Sequence, residues 1–464
     1  MTSPLRDRSQ GFSGLIGVAR RDITPPVGIY ARQWGAAAVD VAEGVHRPLV
    51  LTAFYFRERA GGDPLILVAM DGFMFRDPKD EYAIRQPLLE LFGIGPERLM
   101  LNLSHTHASC SISTSDADKP GGELIAPYLE KIRGAAMDAA REAQRTAVAS
   151  VLTWEQGRCG LARNRDLRDP EAGRFVCGYN PSGTADDTVL VGRVTRDSNG
   201  GIVGTLVNYA CHPTTLAWDN RLISPDFVGA TREVIERETG APAAFLQGAS
   251  GELAPRRQYT GDIAVADANG RELGFAVLGV LAGMLPPRSA LGYAGVRESG
   301  APLALWELED SAVGESLSAR QGAVDLPLKP QPSEEEVLRE LEQCPDRTLQ
   351  ERIYRKLLRI RQLGTEPICR VPFWTWRLGD AVVAAHSSEA YSLLQTELRR
   401  IFSPSPVVVM NLTNGASLSY IYPADRAESD LPLYQAEVSP FEPTALSLLI
   451  EACAESIADL KWET

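Results

Sequence analysis

The sequence predicts an α/β fold, a central mixed sheet flanked by helices with its working residues at the carboxyl ends of strands. Three observations lead there. Short apolar runs with the length and β-branched content of buried strands recur along the chain. Segments of helical length separate many of them, the alternation that builds sheets covered by helices. Polar residues able to do chemistry follow the runs repeatedly, where ligands gather in open α/β sheets.

Taken in order, PLILVAM (64–70) is followed by Asp71-Gly72, RLMLNL (98–103) runs into SHTH, and GIVGTLVNYA (201–210) runs into CHPTT. Before that third run, NGGIVG (199–204) reads as a hairpin turn, since no phosphate-loop lysine follows it. APAAFL (241–246) leads into QGASGELAPR, DAVVAAH (380–386) into SSEAY, and PVVVMNL (406–412) into TNGASLSY. FVGATREVIERETG (227–240) predicts a helix closed by Gly240, and the more apolar 267–285 a helix buried on one side. SSEAYSLLQTELRRIF (387–402) predicts a helix capped by serine and ending basic, as the helix dipole prefers. Residues 329–363 break the pattern: they are charged, helical and introduced by proline, and predict an amphipathic helical hairpin packed on the outside. No repeat or long linker interrupts the chain, so 1–464 reads as a single catalytic-type domain carrying 329–363 as a peripheral insertion.

Composition narrows the function. A net charge of −13 with no dense Lys/Arg cluster argues against nucleic-acid partners. No apolar run reaches the roughly 18 residues a membrane helix needs, and the N-terminal stretch has no signal-peptide core, so no integral membrane contact is expected. The seven cysteines are scattered and never form CxxC, which reads as reduced thiols and a cytoplasmic location.

The chain holds five histidines, yet His105 and His107 sit one residue apart in LNLSHTHASC. Residues i and i+2 of an extended chain share a face, so both imidazoles can look into one cavity at a strand end. Two readings stand: interior histidines hydrogen-bonded to one another, or two arms of a metal site. His212 in NYACHPTT follows another strand-like run, and Glu389 (expected to open a helix) and Tyr420 follow two more. Together they would form a nitrogen and oxygen donor set of the kind that suits Zn²⁺.

These residues also carry a resemblance. IGVARRDITPPVGIY (16–30), GVHRPLVLTAFYF (44–56), ILVAMDGF (66–73), LNLSHTH, NYACHPTTL and the stretch 223–255 together resemble the N-terminal catalytic domain of the zinc-dependent neutral/alkaline ceramidase family. The resemblance implies His105, His212, Glu389 and Tyr420 as zinc ligands, with Tyr422 a competitor for the last place. It implies catalytic roles for His107 and for Glu252, the latter standing where the family carries aspartate, and substrate contacts from Asn164, Arg165 and position 254. Asp71 and Asp226 are candidates to orient the histidines, and helix capping or turn roles suit them equally. Tyr434 resembles a family tyrosine as well as a packing residue.

The sequence departs from the family in GELAP (251–255), where Ala254 replaces a serine and no hydroxyl remains. The family's C-terminal β-sandwich domain is also expected to be missing. The implied activity is hydrolysis of an amide in a small, soluble N-acyl substrate by water on zinc, whose pKa falls toward about 7. His107 would serve the oxyanion or the leaving amine. A zinc-retaining binding protein and an ester or lactone hydrolase are the competing readings. GASGE (248–252) does not match the serine-hydrolase elbow, and Cys211 beside His212 is expected to pack in the core rather than form a dyad.

Overall fold

The computed structural model describes residues 6–8, 10–426 and 431–460. Eight strands form one mixed sheet: β1 (Gln10–Asp22), β2 (Val50–Arg57), β3 (Leu65–Met70), β4 (Leu99–Leu103), β5 (Val148–Arg158), β6 (Thr188–Arg196), β7 (Ile202–Tyr209) and β8 (Ala243–Gln247). Their spatial order is β8-β7-β6-β5-β1-β2-β3-β4. The pairs β3–β4 and β7–β8, one at each edge, are parallel, and the pairs between are antiparallel. Parallel neighbours need a crossover. Here helices α1 (Pro78–Phe92) and α3 (Phe227–Thr239) supply one each. Two long helices, α2 (Ile125–Arg145) and α4 (Ile263–Gly283), complete the covering.

Strand alternation decides what lies on each face. Ile66, Val68 and Met70 point outward and pack with Ile84 of α1 and Ile132 and Ala136 of α2. Leu65, Leu67 and Ala69 point the other way, into a layer that also holds Trp374, Trp376, Val383 and Met410. Those four belong to a second sheet of β9 (Leu317–Pro327), β10 (Ile368–Leu378), β11 (Ala381–His386) and β12 (Val407–Met410), in that spatial order. Its outer residues, such as Val382 and Ala384, pack against α7 (Leu393–Phe402) and α8 (Ala445–Ala458). The late apolar runs thus build a sheet of their own rather than extending the first, and the layers run helix, sheet, sheet, helix.

Two predicted helices begin elsewhere. The fourth starts at Ile263 because Asp262 accepts from Ala264 N, ahead of the expected 267. The segment 387–402 turns helical only at Leu393, since Glu389–Ala390 pairs in parallel with Tyr420–Ile421, and Glu389 therefore opens no helix. The charged segment does form a hairpin, α5 (Glu334–Gln343) and α6 (Arg347–Leu363), closed by its own small core of Val337, Ile353, Leu357 and Ile360.

The edge strands β4 and β8 meet at their carboxyl ends. Asn102 Oδ1 accepts from Gln247 N (3.2 Å), and its Nδ2 donates to Asn411 O (2.7 Å) and Thr413 Oγ1 (3.0 Å). Asn411 N donates to Gln247 O and Leu103 N to Leu412 O. This buried polar seam gathers the ends of β3, β4, β7, β8, β11 and β12 around one point.

Candidate active site

Three of the five histidines stand at that point. His105 arrives there through a turn, not an extended strand. Its φ is +66°, a left-handed conformation costly for a residue with a β-carbon. The same-face argument therefore gives the wrong reason for the pairing: the chain leaves β4 and folds, setting the two rings 4.8 Å apart.

Backbone carbonyls fix two of the tautomers. His105 Nδ1 lies 3.0 Å from Phe73 O, and His212 Nδ1 lies 2.7 Å from Ser250 O. A carbonyl only accepts, so both Nδ1 atoms carry a proton, and in the neutral ring Nε2 then presents its lone pair. Those Nε2 atoms face one oxygen, Glu389 Oε2, at 3.2 and 3.1 Å. His107 joins them with both ring nitrogens buried and without a hydrogen-bond partner. Nitrogens of His105, His107 and His212 all lie within 4.8 Å of one another. Acceptors converging on one spot, two of them steadied from behind by carbonyls, are the donor arrangement of a metal-binding site. The residues fit a cation.

Charge states agree with the geometry. Burial pushes His107 well below its ordinary value, as do His105 and His212 beside it. Burial and the nearby Arg165 charge bring His212 down to about 3. Burial alone would raise the Glu389 carboxyl, but the charge and hydrogen bonds of His105 and His212 hold it well below the carboxylate range. His107 and His212 are thus held as neutral imidazoles and Glu389 as a carboxylate, forms that bind metals.

Arg165 closes one side. It is 4% exposed, and its Nη2 lies within reach of Gly251 O (2.8 Å), Tyr420 Oη (3.0 Å) and His212 Nε2 (3.2 Å). Burial and the Glu389 charge raise the Tyr420 phenol well above its usual value, so it is a neutral hydroxyl accepting from arginine. Tyr422 is packed in the core beneath the second sheet with Lys329 over its ring, away from the histidines. Tyr434 lies with its ring 6.1 Å from that of Tyr420.

Other expected residues are occupied elsewhere. Asn164 Oδ1 accepts from Asp166 N and holds its own loop. Glu252 points its carboxylate at Ser392 N and Oγ, at the start of α7, and burial raises it to about 7. Ala254 is buried in a short ladder opposite Arg163. Asp71 forms a two-pronged ion pair with Arg232 (2.8 and 2.6 Å), tying β3 to α3, so it orients no histidine. Asp226 caps α3 by accepting from Phe227 N and also accepts from Leu216 N. Cys211 packs in the core against α3 and α4.

Sequence reasoning misses four contributors. Phe73 stacks on His105 and meets His107 edge-on, and its carbonyl sets a tautomer. Ser250 sets the other through its backbone, a role no side-chain motif announces. Trp34 lies 5.0 Å from His107. From α6, the Arg355 guanidinium stands 5.8 Å over the Phe73 ring, so the hairpin is no mere outer ornament.

The fold has known counterparts. The solved neutral ceramidase from Pseudomonas aeruginosa superposes on this chain with a TM-score of 0.68 at 19% identity, covering 98% of this chain and 76% of that one. A ceramidase complexed with C2 does so with a TM-score of 0.64 at 17% identity over the same shares. In sequence, the curated neutral ceramidase of Pseudomonas aeruginosa is 24% identical over 266 residues, 53% of this chain. That alignment spans only 38% of the relative's own length. Among the described residues, no helix is long and apolar enough to cross a membrane. Residues 15–260, just over half the chain and the part that supplies all three clustered histidines, match the family described as neutral/alkaline non-lysosomal ceramidase, N-terminal, and the chain belongs to that family.

Proposed function

We propose that the protein is a metal-dependent hydrolase of amide bonds in N-acyl compounds. One observation carries the reading: two imidazole lone pairs and a carboxylate oxygen face each other at 3.1–3.2 Å inside the protein. His105, His212 and Glu389 would hold the cation, zinc by the mixed nitrogen and oxygen donor set, with Tyr420 as a further oxygen donor. When bound, such a cation supplies a Lewis acid and an acidified water.

The protein's own groups then divide the remaining work. Arg165 and the Tyr420 hydroxyl form a buried donor pair beside the place where negative charge develops on the amide oxygen, and donors fixed in a dry site stabilise that charge strongly. His107, neutral and unpartnered, is placed to take up a proton and deliver it to the leaving amine. Phe73 and Trp34 wall the histidines from water.

Release of amine from short-chain ceramide and from simpler N-acyl amines tests this. Wild type is expected to lose activity on chelation and regain it with zinc, and Glu389→Gln to fall by roughly a hundredfold or more. Activity that survives both treatments would overturn the reading.

A further inference from the structure

Beside His107 lies a narrow slot lined by apolar side chains, Trp34, Val39 and Leu222 among them, and by polar ones, Gln33, Asn220 and Arg221. It has about 20 Å³ of free volume, room for about one water. The closing group is Trp34. Its ring meets His107 at 5.0 Å on one side, and Trp218 and Tyr259 edge-on at 6.0 and 5.8 Å on the other. Trp218 and Tyr259 stack on each other at 6.0 Å, and Trp218 is 36% exposed. An aromatic wall therefore runs from solvent to the ring of His107.

The wall is braced from outside. Arg355 of α6 donates to Gln33 O (2.8 Å), and Arg347 pairs with Asp40 across the same loop. Arg32 donates to Gly35 O within it. Gly35 lies against α6 so closely that a β-carbon there would come 2.9 Å from Thr348 O. The charged hairpin, which the chemistry itself leaves without a task, holds the Trp34 loop down over the site.

We infer that Trp34 is a specificity-determining residue that limits the acyl group of the substrate to a short one. This rests on the amidohydrolase reading. A two-carbon acyl group asks the slot to widen least, whereas a chain of eight or more carbons has to displace the indole. Replacing Trp34 by a small side chain should widen the slot and keep the histidine geometry, because no hydrogen bond of the cluster passes through the indole.

The test compares wild type, Trp34→Ala and Trp34→Leu on the N-acetyl, N-butanoyl, N-octanoyl and N-hexadecanoyl derivatives of one amine. Wild type is expected to favour the two short substrates at least tenfold in kcat/KM. Either variant should shift the ratio of N-octanoyl to N-acetyl at least tenfold toward the long chain. A wild type indifferent to chain length, or folded variants with an unchanged ratio, would overturn the inference. If wild type hydrolyses none of the four, the hydrolase reading fails, and calorimetric binding of acetate and octanoate decides the gate separately. Octanoate binding at least tenfold tighter to Trp34→Ala than to wild type then supports it, and equal binding overturns it.

Discussion

Two imidazole nitrogens and a carboxylate oxygen face one another at 3.1–3.2 Å, a spacing that positive charge among them makes favourable. At this scale the residue types were legible. His105, His107, His212, Glu389 and Tyr420 stand out in the sequence, and the structure brings them together. Phe73 and Ser250 were not, because they act through carbonyls that any residue carries. Tyr420→Phe removes the hydroxyl that accepts from Arg165 and should lower kcat/KM about tenfold to a hundredfold, while Tyr422→Phe should stay within about twofold. Equal losses in steady-state assays would contradict this assignment. Glu252 gives a pH prediction. Burial raises its carboxyl from 4.5 to about 7, so the folded chain holds that proton more tightly than the unfolded one. The stability it contributes is complete below the unfolded value and lost as pH rises through about 7. Glu252→Gln should therefore gain on wild type by roughly 2–3 kcal/mol between about pH 5 and about pH 8. Denaturant unfolding at both values checks it, and a pH-independent difference would count against a buried titrating carboxyl.

Among the elements, α6 departs most from expectation. Its charge and amphipathic spacing mark it as a helix, and nothing local says what its inner face touches. Long-range contacts decide that: Arg355 to Gln33 O, and Tyr354 Oη donating to Ser115 O. The hairpin's own core is four residues, so it should open more easily than the sheets. Leu357→Ala is expected to cost about 2–3 kcal/mol locally. Hydrogen exchange should then rise over 334–363 and over the Trp34 loop while β1 to β8 stay protected. Faster exchange everywhere would mean that the hairpin is part of the global folding unit. A similar lesson comes from Glu389: helix signals around it are strong, yet pairing with Tyr420 holds it in a bridge that no local pattern predicts.

For the whole molecule, alternating apolar runs announce α/β architecture, and strand periodicity is strong enough to place most of the buried runs. It cannot say which sheet a strand joins, because β11 and β12 are as apolar as β3 and β4 and buried on both faces. The seam around Asn102 is what converts two sheets into one site. Asn102→Leu would leave Gln247 N and Asn411 O without these partners and should cost about 2–4 kcal/mol, with weaker metal retention as well. Calorimetry of wild type and variant, each with and without added zinc, would show whether stability and metal uptake fall together. The central claim, that the histidine cluster is built for a cation, is tested most directly by metal content. Elemental analysis of wild type and His105→Ala, purified without chelator and after zinc addition, should give about one zinc per wild-type chain and far less in the variant. Folded wild type that takes up no zinc, or a variant that retains as much, would contradict the account.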